Sequence, residues 1–189
     1  MELSDIIRNR RAFRSLAPVI IDSELIRDLA DHVRLAPSCY NYQPWRYVFA
    51  YDPEILSELF KAMKKGNEWT SQASMIIAVF SEESLDCVIK DRKYYLFDTG
   101  MGTAFLILRA TELGLVAHPI AGYDPDKVKE ILHIPPEMML ITLVIVGKKA
   151  DYISPLLDEK KAQIEKERPE RLQIDQFVFV NSYGPEGLR

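Results

Sequence analysis

The run Leu140 to Val146 constrains this chain's fold more than any other stretch. It is apolar almost throughout and rich in β-branched residues, as a strand buried in a sheet is. It is far too short for a membrane-spanning helix, which takes ~20 apolar residues. Ala73 to Phe80 is a second continuous apolar strand. Trp45 to Tyr51 is a third, with aromatic and branched residues.

Helical periodicity fills the segments between. Leu3, Ile6 and Ile7 predict a short helix over Leu3 to about Asn9. Asp22 or Ser23 caps a helix expected to bury Leu25, Ile26, Leu29, Val33 and Leu35. Asp52-Pro53 opens another, carrying Ile55, Leu56, Leu59, Phe60 and Met63 and stopping at Lys64-Lys65-Gly66. Tyr94 to Leu113 is long and strongly apolar. Its first part holds Gly100 and Gly102, each costing about 1 kcal/mol of helix stability against alanine. They point to tight helix packing or to the close approach of another backbone or a flat ligand. Ser84 to Asp91 reads as a helical connector, and Asp124 caps a helix bearing Val128, Ile131 and Leu132. Asp158 to Arg171 reads as a charge-dense helix with a solvated face. Phe177 to Val180 reads as a short late strand. A polar excursion ending in an apolar strand suits an arm that completes a sheet on a second subunit.

Length and composition set the outer bounds. A chain of 189 residues suits one domain, here 1–189 with about 150–189 as the arm. Apolar residues make up 48% and charged residues 28%, so the chain is globular rather than disordered. A net charge of −4 argues against a dedicated nucleic-acid binder. His32, His118 and His133 lack metal-ligand spacing. Cys39 and Cys87 form no CxxC pattern, so a disulfide is not expected and a reducing cytoplasm fits. Met1 to Asp5 is acidic, without the apolar run of a signal peptide.

Three stretches carry chemistry. In Arg8 to Arg14, four arginines stand within seven residues. This is a solvated helix end or an anion grip, since guanidinium forks match phosphate oxygens. Ala36 to Tyr47 places a hydroxyl, a thiol and two carboxamides between Pro37 and Pro44. The prolines stiffen it, giving a polar loop or the wall of a pocket for a flat ligand with polar edges. Leu115 to Tyr123 reads as a strand into a tight turn, with Gly122 permitting close backbone approach.

Together these stretches resemble the nitroreductase family of FMN-dependent NAD(P)H oxidoreductases. The family's Arg-Arg-x-x-Arg stretch is here Arg10-Arg11-Ala12-Phe13-Arg14. Its Ser-x-x-Asn-x-Gln-Pro-Trp loop is Ser38, Asn41, Gln43, Pro44 and Trp45. Its Gly-Leu…Pro-Ile-x-Gly turn is Gly114, Leu115, Pro119, Ile120 and Gly122. Its late basic segment resembles Arg168-Pro169-Glu170-Arg171-Leu172. Four motifs in order are fairly specific, where each alone is weak.

The resemblance implies an α+β fold, an α-β-α sandwich around a mainly antiparallel sheet. It also implies a homodimer with FMN at the interface and a swapped C-terminal strand. Arg10, Arg11 and the Ala12 backbone would meet the FMN phosphate, with Arg171 and Arg168 completing the grip. Arg14 would lie at flavin N1 and O2, tuning the ring. Pro37, Ser38, Cys39 and Asn41 of the second subunit would line the flavin, with Gln43 close by. Ile120, Ala121 and Gly122 would pack on the ring, and the residue at its O4 edge falls near Gly66 or Asn67. Many members carry serine at the position of Ala12 and an acidic residue at that of Ala121, so both donor groups are missing here. The chemistry would belong to the flavin, with no catalytic side chain and no metal. Hydride would pass from NAD(P)H through N5 to a small acceptor such as a nitroaromatic or quinone, in ping-pong order. An FMN storage or sensing protein shares these motifs. A flavin-free binding protein and a thiol mechanism through Cys39 are the remaining alternatives.

Overall fold

The computed structural model describes residues 2–184. Five strands form one antiparallel sheet: β1 (Leu16–Ala17), β2 (Arg46–Ala50), β3 (Met75–Ser81), β6 (Leu115–Ile120) and β7 (Met139–Lys149). β7 is the central strand. β3 pairs with its Met139 to Val146 and β6 with its Leu143 to Lys148. β1 takes its last two residues, and β2 extends the sheet beyond β3.

Every residue of β3 is buried, because helices cover both sides of the sheet. Ile76, Ala78 and Phe80 share one apolar layer with Leu56, Leu59, Trp69 and Val128. These come from α3 (Pro53–Lys61), α5 (Pro125–Ile131) and a 3-10 turn at Glu68–Gln72. Met75, Ile77 and Val79 point the opposite way, toward Leu29, Val33, Leu106 and Ala110 of α2 (Ser23–Val33) and α4 (Tyr94–Glu112). Strand alternation thus sends a uniformly apolar run into two separate layers. The α-β-α sandwich with an antiparallel sheet is as expected.

The helix starts follow local chemistry. Asp22, Asp52, Asp124 and Asp158 each accept backbone N–H groups at an N-terminus. Pro53 and Pro125 occupy the first turn, where no N–H is needed. Gly102 belongs to ordinary tight packing: a Cβ there would meet Tyr47, Trp45 and Val33 at 3.2 to 3.3 Å.

Several expectations are corrected. Leu35 lies beyond the end of α2 and is exposed. Ser84 to Asp91 is no helix. It contains the end of a 3-10 turn (Glu83–Leu85) and a tiny hairpin strand, β4 (Val88–Ile89), which pairs with β5 (Arg92–Lys93). The charged helix α6 is shorter than expected, Glu159–Lys166, and stops ahead of Pro169, as proline disfavours helix before it. Phe177 to Val180 forms no strand on this chain. Ile174–Gln176 is a 3-10 turn, and the residues that follow have no strand neighbour. The first part of the expected arm, residues 150–168, makes hydrogen bonds to the chain's own first segment. The N–H of Ala150 donates to Ser15 O, and Arg168 donates to Arg10 O at 2.9 Å. Cys39 and Cys87, expected to be free, are joined in a disulfide, because the loop after α2 folds back beside the segment that precedes β4. Among the described residues no helix is long and apolar enough to cross a membrane.

Candidate cofactor site

Arginines from the two ends of the chain meet in one cavity. It measures about 220 Å³ and is lined by Arg10, Arg11, Ala12, Arg14, Ile164, Arg168, Pro169 and Arg171. α1 (Leu3–Asn9) ends at Arg10, and the chain then runs extended past the last turn of α6. Arg11 Nη2 donates to the carbonyl of Ile164 at 2.5 Å, near the negative end of that helix. Arg168 reaches back to the carbonyls of Arg8 and Arg10. The two segments, more than 150 residues apart in sequence, are thereby locked together.

Glu165 fastens the floor. It is 9% exposed, and its two carboxylate oxygens accept the N–H groups of Arg14 at 2.9 Å and Ser15 at 3.0 Å. Among the described residues no carboxylate lines the cavity itself. Burial lowers the pKa of Arg10, and the nearby charges of Arg168 and Arg171 lower it further. Three crowded guanidinium groups make a site whose electrostatics call for an anion.

A second element adjoins this one. The turn Ile120-Ala121-Gly122 is pinned from behind. Gly122 O accepts from Lys64 N at 3.0 Å and from Asn67 Nδ2 at 2.8 Å. A Cβ on Gly122 would lie 2.2 Å from that Nδ2, which is why glycine stands there. Asn67 Oδ1 also accepts the indole N–H of Trp69. Trp69 stacks on His118, ring centres 4.8 Å apart, and the Arg14 guanidinium lies 5.9 Å from the indole centre. His118 Nδ1 is 3.0 Å from Phe13 O. Burial drives the His118 pKa down to about 4, so the ring is neutral and Nδ1–H donates. An unbroken relay of contacts thus runs from the arginine segment to the turn. The sequence reading placed Asn67 near this site but missed His118, Trp69 and Glu165. Their roles depend on partners more than 45 residues away.

The proline-flanked wall stands apart. None of Pro37, Ser38, Cys39, Asn41 or Gln43 lines the arginine cavity. Ala36 and Trp45, at its two ends, pack in the α2/α4 layer, whereas Phe13 and Ile120 belong to the opposite layer. Its backbone is unusual: Tyr40, Asn41 and Gln43 have φ of 46°, 61° and 51°. Non-glycine residues in this region cost about 1–2 kcal/mol each. Three hydrogen bonds hold them there, two of them local and one to Asp98 on α4. Ser38 Oγ accepts Gln43 N–H at 3.0 Å, Asp98 Oδ2 accepts Cys39 N–H at 2.6 Å, and Arg46 Nη1 donates to Gln43 O.

The sequence pattern of the nitroreductase family matches residues 7–85 and 61–148, a span that includes the arginine segment, the wall and the turn. This chain belongs to the nitroreductase family. A Mycolicibacterium smegmatis relative, described as an uncharacterized 15.4 kDa protein, is 30% identical over 131 residues, 69% of this chain and 86% of its own. A Thermus thermophilus protein named NADH dehydrogenase is 26% identical over 175 residues, 75% of this chain and 84% of its own. A crystal structure titled as an oxidoreductase containing FMN superposes with a TM-score of 0.82 at 25% identity. That match covers 95% of this chain and 91% of the other.

Proposed function

We propose that this nitroreductase-family protein is an FMN-dependent NAD(P)H oxidoreductase that works as a homodimer. The observation that carries the reading is the arginine cavity, where Arg10, Arg168 and Arg171 are crowded with no carboxylate in the lining among the described residues. A phosphate dianion fits this donor set, with Arg10, Arg171 and Arg168 holding it and the Ala12 N–H facing it. The small residues Ala121 and Gly122, on a turn pinned from behind, leave a flat face for a ring. Arg14 would offer positive charge at the pyrimidine edge and Asn67 an amide at O4. When bound, FMN would supply the redox chemistry, taking hydride from NAD(P)H and passing it to a small acceptor such as a nitroaromatic or quinone.

The wall reaches such a ring only from a second copy, since on one chain it lies across the sheet from the arginines. Two surfaces support the pairing. Phe97, Gly100, Ala104 and Phe105 form an exposed apolar stripe along α4, with Phe97 64% exposed. Contiguous apolar surface of this kind marks an interface. Leu172, Ile174, Phe177 and Val180 are also exposed, as a tail awaiting a partner surface would be. A crossing arm would therefore comprise the residues after Arg171. A cytoplasmic setting, where NAD(P)H is plentiful, suits this reading.

The test is the visible spectrum of the purified protein, before and after NAD(P)H is added without oxygen. Flavin bands that bleach support the proposal. Bands that persist would point to a flavin carrier without turnover. No bands, even after FMN is added, would overturn the cofactor assignment.

A further inference from the structure

We propose that Cys39–Cys87 is a redox-active disulfide. External thiols open it by exchange at Cys87, Asp86 protonates the departing Cys39 thiolate, and opening releases the wall at residues 37–43. The bond spans 48 residues and ties the wall to the segment that enters the β4–β5 hairpin. Both cysteines are half-buried, so the bond is neither sealed in the core nor fully solvated.

The surroundings are those of a reacting pair rather than a simple staple. Asp86 is 7% exposed. Its Oδ1 accepts the Cys87 N–H at 2.7 Å, while its Oδ2 has no donor. One of its oxygens and the two sulfurs lie within 4.8 Å of one another. Burial raises the Asp86 pKa, and the facing carboxylate of Asp98 raises it further. The Asp86 Oδ2, buried and without a donor, is therefore placed to pass a proton to a sulfur of the opening bond. Asp98 in turn accepts the Cys39 N–H at 2.6 Å, so the acid pair touches both halves of the bond.

The balance closes with a dithiol as reductant. One of its thiolates attacks Cys87 Sγ, a mixed disulfide forms and the Cys39–Cys87 bond breaks. The electron pair departs on Cys39 Sγ, which takes the Asp86 proton. The reductant's second thiol gives its proton to Asp86 and attacks its own sulfur of the mixed disulfide. Cys87 leaves as a thiolate and is protonated from water. The dithiol is oxidised to a disulfide, and the protein gains two thiols. Once open, the chain at Tyr40, Asn41 and Gln43 loses its covalent tether, and only hydrogen bonds oppose its leaving the left-handed conformation. That this alters flavin binding rests on the reading above; the exchange itself does not.

The experiment uses the purified full-length protein in mixtures of reduced and oxidised dithiothreitol. Thiols are counted by alkylation and mass. A single reversible two-thiol transition is expected, with Asp86→Asn slowing reduction at neutral pH by about tenfold or more. Amide exchange at residues 37–43 of the wild type is expected to quicken on reduction. Two free thiols that oxidised dithiothreitol never closes, a wild-type reduction rate in Asp86→Asn, or unchanged exchange in the wall would each overturn the proposal. The wild-type measurements decide even if Asp86→Asn fails to fold. FMN titration of both redox forms separates the two readings. No binding by either form would remove the cofactor assignment and leave the redox pair standing.

Discussion

The arginine cavity and the proline-flanked wall occupy opposite sides of one sheet and are built by opposite means. The cavity is assembled by long-range contacts within one chain, through Glu165, Arg11 and Arg168. Its backbone there is ordinary and its tension is electrostatic. The wall rests mostly on hydrogen bonds that span a few residues, with Asp98 and the Cys39–Cys87 bond as its long-range ties, and its tension lies in the backbone. A charge-crowded site is completed by a ligand. A strained loop with exposed Tyr40 and Tyr42 would, in the proposed dimer, be completed by a neighbouring surface. In the proposed dimer one site would be divided between two copies, each supplying one half.

The largest effect is expected where the two halves are forced apart. Phe97→Glu with Phe105→Glu puts carboxylates into the apolar stripe of α4. Charges buried there without partners cost the pairing about 4 kcal/mol or more. Light scattering should report monomers, and these should retain no FMN even though every arginine remains. Full FMN retention by such monomers would show that the wall is dispensable and break the comparison.

The next effect belongs to the arginine side alone. His118 is buried, with a folded pKa of about 4 against an ordinary 6.5. A lowered histidine pKa means that the unfolded chain binds the extra proton first. Stability is therefore full above about pH 6.5 and falls as pH drops toward 4, by roughly 3 kcal/mol in all. Thermal melts across this range should show the loss, and His118→Phe should flatten that part of the slope. An unchanged slope in the variant would assign the acid sensitivity elsewhere. The wall contains no histidine, so its pairing should be comparatively indifferent over the same interval.

Removing one cavity arginine should cost less. Arg10→Ala or Arg171→Ala deletes one charged donor to the proposed phosphate, worth about 1.5–3 kcal/mol. FMN affinity should fall roughly tenfold to a hundredfold, with dimerisation intact. Equal cofactor content in variant and wild type after dialysis would count against the grip.

What the sequence made legible follows the same division. Leu140 to Val146 and Ala73 to Phe80 announced the central strands because burial on both faces leaves them almost no polar position, Thr142 and Ser74 being the exceptions. Arg10, Arg11, Arg14, Arg168 and Arg171 were readable as a motif, and the fold brings them to one cavity. Glu165 was not, because in a helix dense in Lys and Glu nothing local distinguishes the one carboxylate that turns inward. His118 looked like any strand residue, since its meaning lies in Trp69 and the Phe13 carbonyl. The Cys39–Cys87 bond was hidden for a related reason: two cysteines separated by 48 positions give no local sign that they meet. Phe177 to Val180 carried a strand's composition but pairs with no strand among the described residues.

The smallest effect sharpens the comparison most, because Arg14 is the cavity residue that also touches the relay toward the turn. Its guanidinium lies 5.9 Å from the Trp69 ring centre, and its N–H is held by Glu165. If it tunes a bound ring electrostatically, Arg14→Ala should make FMN harder to reduce by about 1 kcal/mol, on the order of 20–30 mV for a two-electron couple. Loss of the contact with Trp69 would cost a comparable ~0.5–1 kcal/mol of stability, so a melting curve alone does not discriminate. Arg14→Lys does. A lysine restores a positive charge but not the planar stacking group. A midpoint potential that recovers in Arg14→Lys while the melting temperature stays depressed assigns Arg14 to charge. A potential that tracks stability in both variants assigns it to packing, and the tuning of the cofactor then falls to the backbone of Ile120 to Gly122.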